Sequence, residues 1–175
     1  MSQQYFSPCP RGLEALLAED IALAGGGKVR IVPGGVQFIG SLETCYRVNL
    51  ESHIATRVLW QVAHGPYAHE DDIYRLAREV DWPRLFAAER TLRVYVTSIK
   101  SALKSLEFIT LRVKDAVCDR FRDDCGRRPS VNTRNPDVRI HLFVTASEAT
   151  LYLDTSGEAL YQRGHKVARI EAPLK

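Results

Sequence analysis

The chain has 175 residues, 45% of them apolar and 26% charged, the make-up of an ordinary globular protein of one domain or two small ones. No apolar run is long enough to cross a bilayer, and Met1-Ser2-Gln3-Gln4 lacks the basic and apolar regions of a secretory leader, so a cytoplasmic address is expected. The net charge of +3 is too small to identify a partner by itself and excludes a strongly cationic, tail-like binder.

Tyr5 to Cys9 reads as a short strand ended by Pro8 and Pro10. From Gly12 to Ala24 the residues Leu13, Leu16, Leu17, Ile21 and Leu23 recur near helical spacing, and Gly25-Gly26-Gly27 stops that helix. Lys28–Val32 and Val36–Ile39 read as a hairpin around Pro33-Gly34-Gly35. Ser41 can cap a helix running to Leu50, with Leu42, Cys45, Tyr46 and Leu50 inward. Ala55 to Val62 completes a βαββαβ order, a split βαβ unit of ferredoxin-like type. Gly65-Pro66 marks its boundary.

Asp71 to Val80 reads as a helix with Ile73, Leu76, Ala77 and Val80 on one side, followed by a short second helix over Arg84–Ala88. Thr91–Ile99 alternates as a strand with Leu92, Val94 and Val96 facing in. A polar loop, Lys100 to Ser105, leads into the longest helix, Leu106 to Asp124. Ile109, Val113, Ala116, Val117 and Phe121 form its buried stripe, and Gly126 caps it. Asp137–Thr145 and Thr150–Asp154 then form a final hairpin. The second unit is ααβαββ, and the fold class is α+β.

Catalytic signatures are absent on inspection. Gly25-Gly26-Gly27-Lys28 lacks the earlier Gly and the following Ser or Thr of a phosphate loop. His64, His69 and Glu70 do not have H-E-x-x-H spacing, and Gly65-Pro66 forbids one helix between them. No G-x-G-x-x-G follows a strand, and no nucleophile–base pair is justified by spacing. Cys9, Cys45, Cys118 and Cys125 form no C-x-x-C and read as buried free thiols rather than metal ligands. Trp60 and Trp82 read as core or interface residues.

Near the C-terminus a strand through Leu151 and Leu153 runs into Asp154-Thr155-Ser156-Gly157-Glu158-Ala159-Leu160-Tyr161-Gln162-Arg163-Gly164-His165-Lys166. This run resembles the D-x-S-G-x-x-L-x-x-R-G-[YH]-[RK] pattern that closes the THUMP domain of bacterial large-subunit ribosomal RNA guanine-N2 methyltransferases. The ααβαββ order is also that of THUMP domains. The resemblance implies three parts: residues 1–65 as a ferredoxin-like domain packed on the next one, 66–168 as a THUMP RNA-binding domain, and 169–175 as the start of a linker. Ala172-Pro173-Leu174-Lys175 matches the first letters of the segment that opens the family's catalytic domain. The chain is therefore expected to be a piece cut at that border. The S-adenosylmethionine site and the catalytic residues would lie downstream, with no cofactor held by this chain. Asn135-Pro136-Asp137 lacks the second Pro and the aromatic of the family's [ND]-P-P-[YF] motif and reads as a turn. His165 departs from the Tyr that relatives carry, and adds a charge that titrates near neutrality.

Residues 1–90 carry 9 Lys and Arg against 11 Asp and Glu, residues 91–140 carry 11 against 6, and residues 141–175 carry 4 against 4. A basic excess in the second unit suits a surface that meets phosphate. The candidate RNA-binding residues are Lys100 and Lys104 before the long helix, Arg127, Arg128 and Arg134 on the loop after it, and Arg163, His165 and Lys166 on the tail. Arg112 and Arg122 are expected to pair with helix carboxylates. The expected partners are large-subunit ribosomal RNA and a downstream methyltransferase domain, with no membrane. Two other readings stay open: a stand-alone THUMP adaptor that brings RNA to a separate enzyme, and a ferredoxin-like protein-interaction module that meets no RNA.

Overall fold

The computed structural model describes residues 2–162 except 102 and 104. Contacts divide the chain into two compact units, one built from residues up to Trp60 joined by those from Thr155, the other from Gln61–Asp154. The first contains β1 (Gln3–Pro8), α1 (Glu14–Leu23), β2 (Gly27–Val32), β3 (Gly35–Gly40), α2 (Leu42–Glu51) and the first two residues of β4 (Leu59–Pro66). The rest of β4, α3 (Glu70–Glu79), α4 (Trp82–Leu85), β5 (Leu92–Ser98), α5 (Leu106–Cys125), β6 (Val138–Val144) and β7 (Glu148–Asp154) make the second. The structure is α+β, with the element orders βαββαβ and ααβαββ in turn. No helix among the described residues is long and apolar enough to cross a membrane.

In the first unit β1 is central, antiparallel to β3 with Tyr5 opposite Phe38 and to β4 with Tyr5 opposite Trp60. Its alternation sends Tyr5 and Ser7 inward, where Tyr5 stacks on Phe38 at 5.2 Å over Leu17, Ile21, Val36, Cys45 and Val48. Ser41 caps α2 by accepting the Thr44 N–H at 3.2 Å, as its position before the apolar run suggested.

Two expectations for this unit fail. Of the four residues expected inward on α2, Cys45 is buried, together with Thr44 and Val48, whereas Leu42, Tyr46 and Leu50 are 51%, 62% and 76% exposed. Both triads obey helical spacing; the smaller one is chosen because Thr44 packs against Gly40, where a Cβ would approach it to 2.7 Å. The fourth strand starts at Leu59 rather than Ala55, and takes in Gly65 and Pro66 instead of ending before them. Residues 55–58 are held out of the ladder by other partners: Ala55 N–H donates to Ser52 Oγ at 3.1 Å, and Thr56 N–H to the Pro8 carbonyl at 2.9 Å.

In the second unit the strand order is β4-β7-β6-β5. β5 and β6 are parallel, with Leu92 opposite Val138 and Ser98 opposite Val144, and α5 makes the crossover between them. β6 and β7 form the predicted hairpin, with Leu142 opposite Leu151. One face of this sheet, Leu92, Val94, Ile140, Leu142, Val144 and Leu151, is buried under Ile73 and Ala77 of α3 and Ile109, Val113, Ala116, Val117 and Phe121 of α5. The buried stripe of α5 is the one its spacing predicted, with Cys118 added. Gly126 ends the helix with φ 68°, a left-handed cap that glycine adopts without steric cost. The second helix is a single turn at Trp82–Leu85, not Arg84–Ala88. Pro83 fixes the first turn, and Trp82, fully buried, donates its indole N–H to the Ala77 carbonyl at 2.7 Å. Three of the four thiols are buried; Cys125, at the last position of α5, is exposed.

Candidate nucleic-acid interface

Beyond β7 the chain is pinned through hydroxyls. Thr155 Oγ1 donates to the Val58 carbonyl at 2.7 Å and accepts from Asn49 Nδ2 at 3.1 Å and Cys45 Sγ at 3.3 Å. Ser156 Oγ accepts the Val58 N–H at 2.8 Å and donates to Asn49 Oδ1 at 2.7 Å. Asn49 Nδ2 also donates to the Cys45 carbonyl at 2.9 Å, so both ends of its carboxamide are used. Burial pushes the Cys45 thiol up, which keeps it protonated as a donor to Thr155. Gly157 has φ 71°, and its carbonyl accepts from Arg57 Nη1 at 2.6 Å. The Thr-Ser-Gly turn is thus a structural staple with no acid–base geometry.

The candidate cations fall into two described groups. Arg127, Arg128 and Arg134 share the exposed loop between α5 and β6, at the start of β5, where Leu92 N–H donates to the Ser130 carbonyl at 2.9 Å. Lys100 lies past the other end of β5. The two groups are separated by the seven residues of β5, about 20 Å at strand rise, and bracket the twenty residues of α5. Lys104, Arg163, His165 and Lys166 lie outside the described residues, as does the expected linker 169–175.

Ion pairing sorts the basic residues further. Arg75 pairs with Asp72 at 2.8 Å, Arg120 with Asp124 at 2.6 Å and Arg122 with Asp119 at 2.9 Å, while Arg78 pairs with Asp123. Arg112 pairs with Asp71, on α3 rather than on its own helix, and lies over the Tyr74 ring. Arg127 reaches Glu89 at 2.9 Å, but both side chains are about 70% exposed, so the pair is worth at most about 1 kcal/mol and yields easily to phosphate. Among the described residues no carboxylate lies within salt-bridge distance of Lys100, Arg128 or Arg134. Lys100 has φ 56°, a left-handed conformation uncommon for a residue with a Cβ. The next residue is tied down: Ser101 Oγ and the Tyr67 hydroxyl are 2.7 Å apart.

A second set of residues was passed over by the sequence reading. Placing Leu92, Val94 and Val96 inward leaves Arg93, Tyr95 and Thr97 on the opposite face of β5 by simple alternation. There Tyr95 stands opposite His141 of β6, with ring centroids 4.9 Å apart and planes inclined by 15°. The Arg93 guanidinium lies 4.6 Å from the Tyr95 ring centroid and donates to the Thr133 carbonyl. His64 sits on β4, its Nδ1 2.9 Å from Thr150 Oγ1, and His69 precedes α3.

The architecture is thus that of a two-part α+β protein whose second unit carries clustered cations and an aromatic row, and no catalytic constellation among its described residues. The chain belongs to the THUMP domain family, whose pattern it matches over residues 67–154; residues 4–59 match the RlmL ferredoxin-like domain. It is 38% identical over 175 residues to the ribosomal RNA large subunit methyltransferase K/L of Methylococcus capsulatus, covering 100% of this chain and 24% of that protein. The protein of the same name from Pseudomonas aeruginosa is 41% identical over 172 residues, covering 98% of this chain and again 24% of the relative. The chain spans about a quarter of the length of the curated relatives it matches. Among solved structures, one described as a predicted N6-adenine-specific DNA methylase from Listeria monocytogenes superposes with a TM-score of 0.84 at 28% identity, over 100% of this chain and 46% of that one.

Proposed function

We propose that this chain is the RNA-binding region of an S-adenosylmethionine-dependent large-subunit ribosomal RNA guanine-N2 methyltransferase, and that it binds and orients the RNA for a catalytic domain C-terminal to it. The observation that carries this reading is the alignment of essentially the whole chain, at 38% and 41% identity, with relatives named ribosomal RNA large subunit methyltransferase K/L. Lys100, Arg128 and Arg134, which have no carboxylate partner among the described residues, the weakly held Arg127, and Lys104, Arg163, His165 and Lys166 supply the phosphate contacts. Methyl donor and target base belong to the downstream domain, and the protein works in the cytoplasm where ribosomal RNA is made. Residues 1–65 are the ferredoxin-like domain, 66–168 the THUMP domain and 169–175 the linker.

The test is equilibrium binding of the 175-residue chain to large-subunit ribosomal RNA fragments between 50 and 200 mM salt. If about six cations meet phosphates, the log–log slope is about −4. Calorimetry with S-adenosylmethionine should give no heat. Failure to retain RNA at the lowest salt would overturn the reading.

A further inference from the structure

We propose that the outward row of β5 is a stacking track for unpaired RNA bases, so that this region grips a single strand rather than a duplex; the proposal rests on the RNA-binding reading above. β5 is the last strand on its side of the sheet, paired along its length with β6 and, among the described residues, bridged on its outer edge at Leu92 to Val131. On the face away from the helices it presents Arg93 and Tyr95, half-buried, and Thr97, exposed. Tyr95 is held in a fixed orientation on that face: its ring is nearly parallel to that of His141 at 4.9 Å, and the planar Arg93 cation lies 4.6 Å from its centroid, where a base would take its place. Arg93 is anchored in turn by the Thr133 carbonyl, which ties the track to the loop bearing Arg128 and Arg134. Tyr152, third in the same cross-strand row, is buried, so the accessible part of the row is its β5 edge.

The placement of charge identifies the occupant. Arg128 and Arg134 stand at the start of β5 and Lys100 beyond its end, none with a carboxylate partner among the described residues. Cations at both ends and a π-surface between them match a nucleic-acid strand, whose phosphates meet the ends and whose bases stack along the middle. The seven residues span about 20 Å, room for up to about six nucleotides at ~3.4 Å each. A duplex keeps its base faces inside its own stack and has none to offer Tyr95.

The experiment compares binding of a single-stranded RNA octamer and of the same octamer as a duplex to the 175-residue chain and its variants. Tyr95→Leu, which keeps the apolar volume but removes the ring, should weaken the single strand about tenfold or more without changing the salt slope, and Tyr95→Phe should bind as the parent does. Thr97→Glu, at an exposed site, should weaken it as well by placing a negative charge on the track. Ultraviolet crosslinking of a uridine-containing octamer should label the 93–97 segment, a readout that a purely structural role for Tyr95 would not give. Unchanged affinity in Tyr95→Leu and Thr97→Glu, with no label on 93–97, would overturn the track and leave the RNA-binding reading standing. A parent chain that binds no RNA at all would overturn both.

Discussion

Ser156 and Asn49, 107 positions apart, meet through a 2.7 Å hydrogen bond from the serine hydroxyl to the carboxamide oxygen, and the same hydroxyl accepts the Val58 N–H at 2.8 Å. One side chain thus satisfies a backbone donor and locks a side-chain acceptor. Removing it takes one partner from each, at a cost of about 0.5–1.5 kcal/mol. Ser156→Ala should therefore lower the unfolding free energy measured in urea by that amount, and Asn49→Ala in the same background should cost less than it does alone, because the two share a network. Additive losses in the double-mutant cycle would contradict the staple.

Lys100 offers a way to separate binding from folding. Its left-handed backbone costs a residue with a Cβ about 1–2 kcal/mol, which glycine avoids, while glycine adds about 0.5–1 kcal/mol of chain entropy. Lys100→Gly should leave the melting temperature unchanged or slightly raised, and yet shrink the salt slope of RNA binding by about 0.7, the share of one phosphate contact. A melting temperature several degrees lower would mean that the lysine side chain holds the loop.

Asp72 predicts an acid dependence. Its Oδ2 accepts the Ala68 and His69 N–H groups, each at 2.9 Å, and these bonds hold its carboxyl below the ordinary carboxylate value. A carboxyl with a lowered folded-state pKa contributes stability above its unfolded value, and loses it as pH falls through the folded one. Asp72→Asn should accordingly melt lower than the parent at pH 7, with the gap closing as the pH is brought down below 4. A gap independent of pH would assign the loss to packing instead.

The two faces of the first unit's helices make a stability test of burial. Leu17 is fully buried and Leu42 is 51% exposed. Leu17→Ala should cost about 2–5 kcal/mol by chemical denaturation, whereas Leu42→Ala should stay within about 0.5 kcal/mol. A large loss at Leu42 would reinstate the helix phase that its sequence spacing first suggested.

That pair also shows where the sequence was legible. Along α5 the stripe Ile109–Val113–Ala116–Val117–Phe121 keeps helical spacing over three turns, so periodicity identified it. Along α2 two faces compete, Leu42–Tyr46–Leu50 and Thr44–Cys45–Val48, and the winner depends on Thr44 fitting against Gly40 of a neighbouring strand, which spacing cannot register. The start of β4 was misplaced for a related reason: residues 55–58 have strand-forming side chains, but their backbone is claimed by Ser52, Pro8 and the Thr155–Ser156 turn. Tyr95 and Arg93 were legible by alternation; they passed unnoticed because attention to charge runs selects loops, and a cation paired with a ring on a strand is not a run.

The staple at Thr155–Ser156 has a consequence for biosynthesis. The first unit is made of two chain segments with roughly a hundred residues between them, so the first sixty residues leave the ribosome without the groups that satisfy Val58. At 5–20 residues per second that wait lasts about 5 to 20 s, and it ends as β7, which completes the core of the middle segment, is made. The segment made first is therefore completed no earlier than the segment made after it, because the residues that close both lie side by side at Asp154 and Thr155.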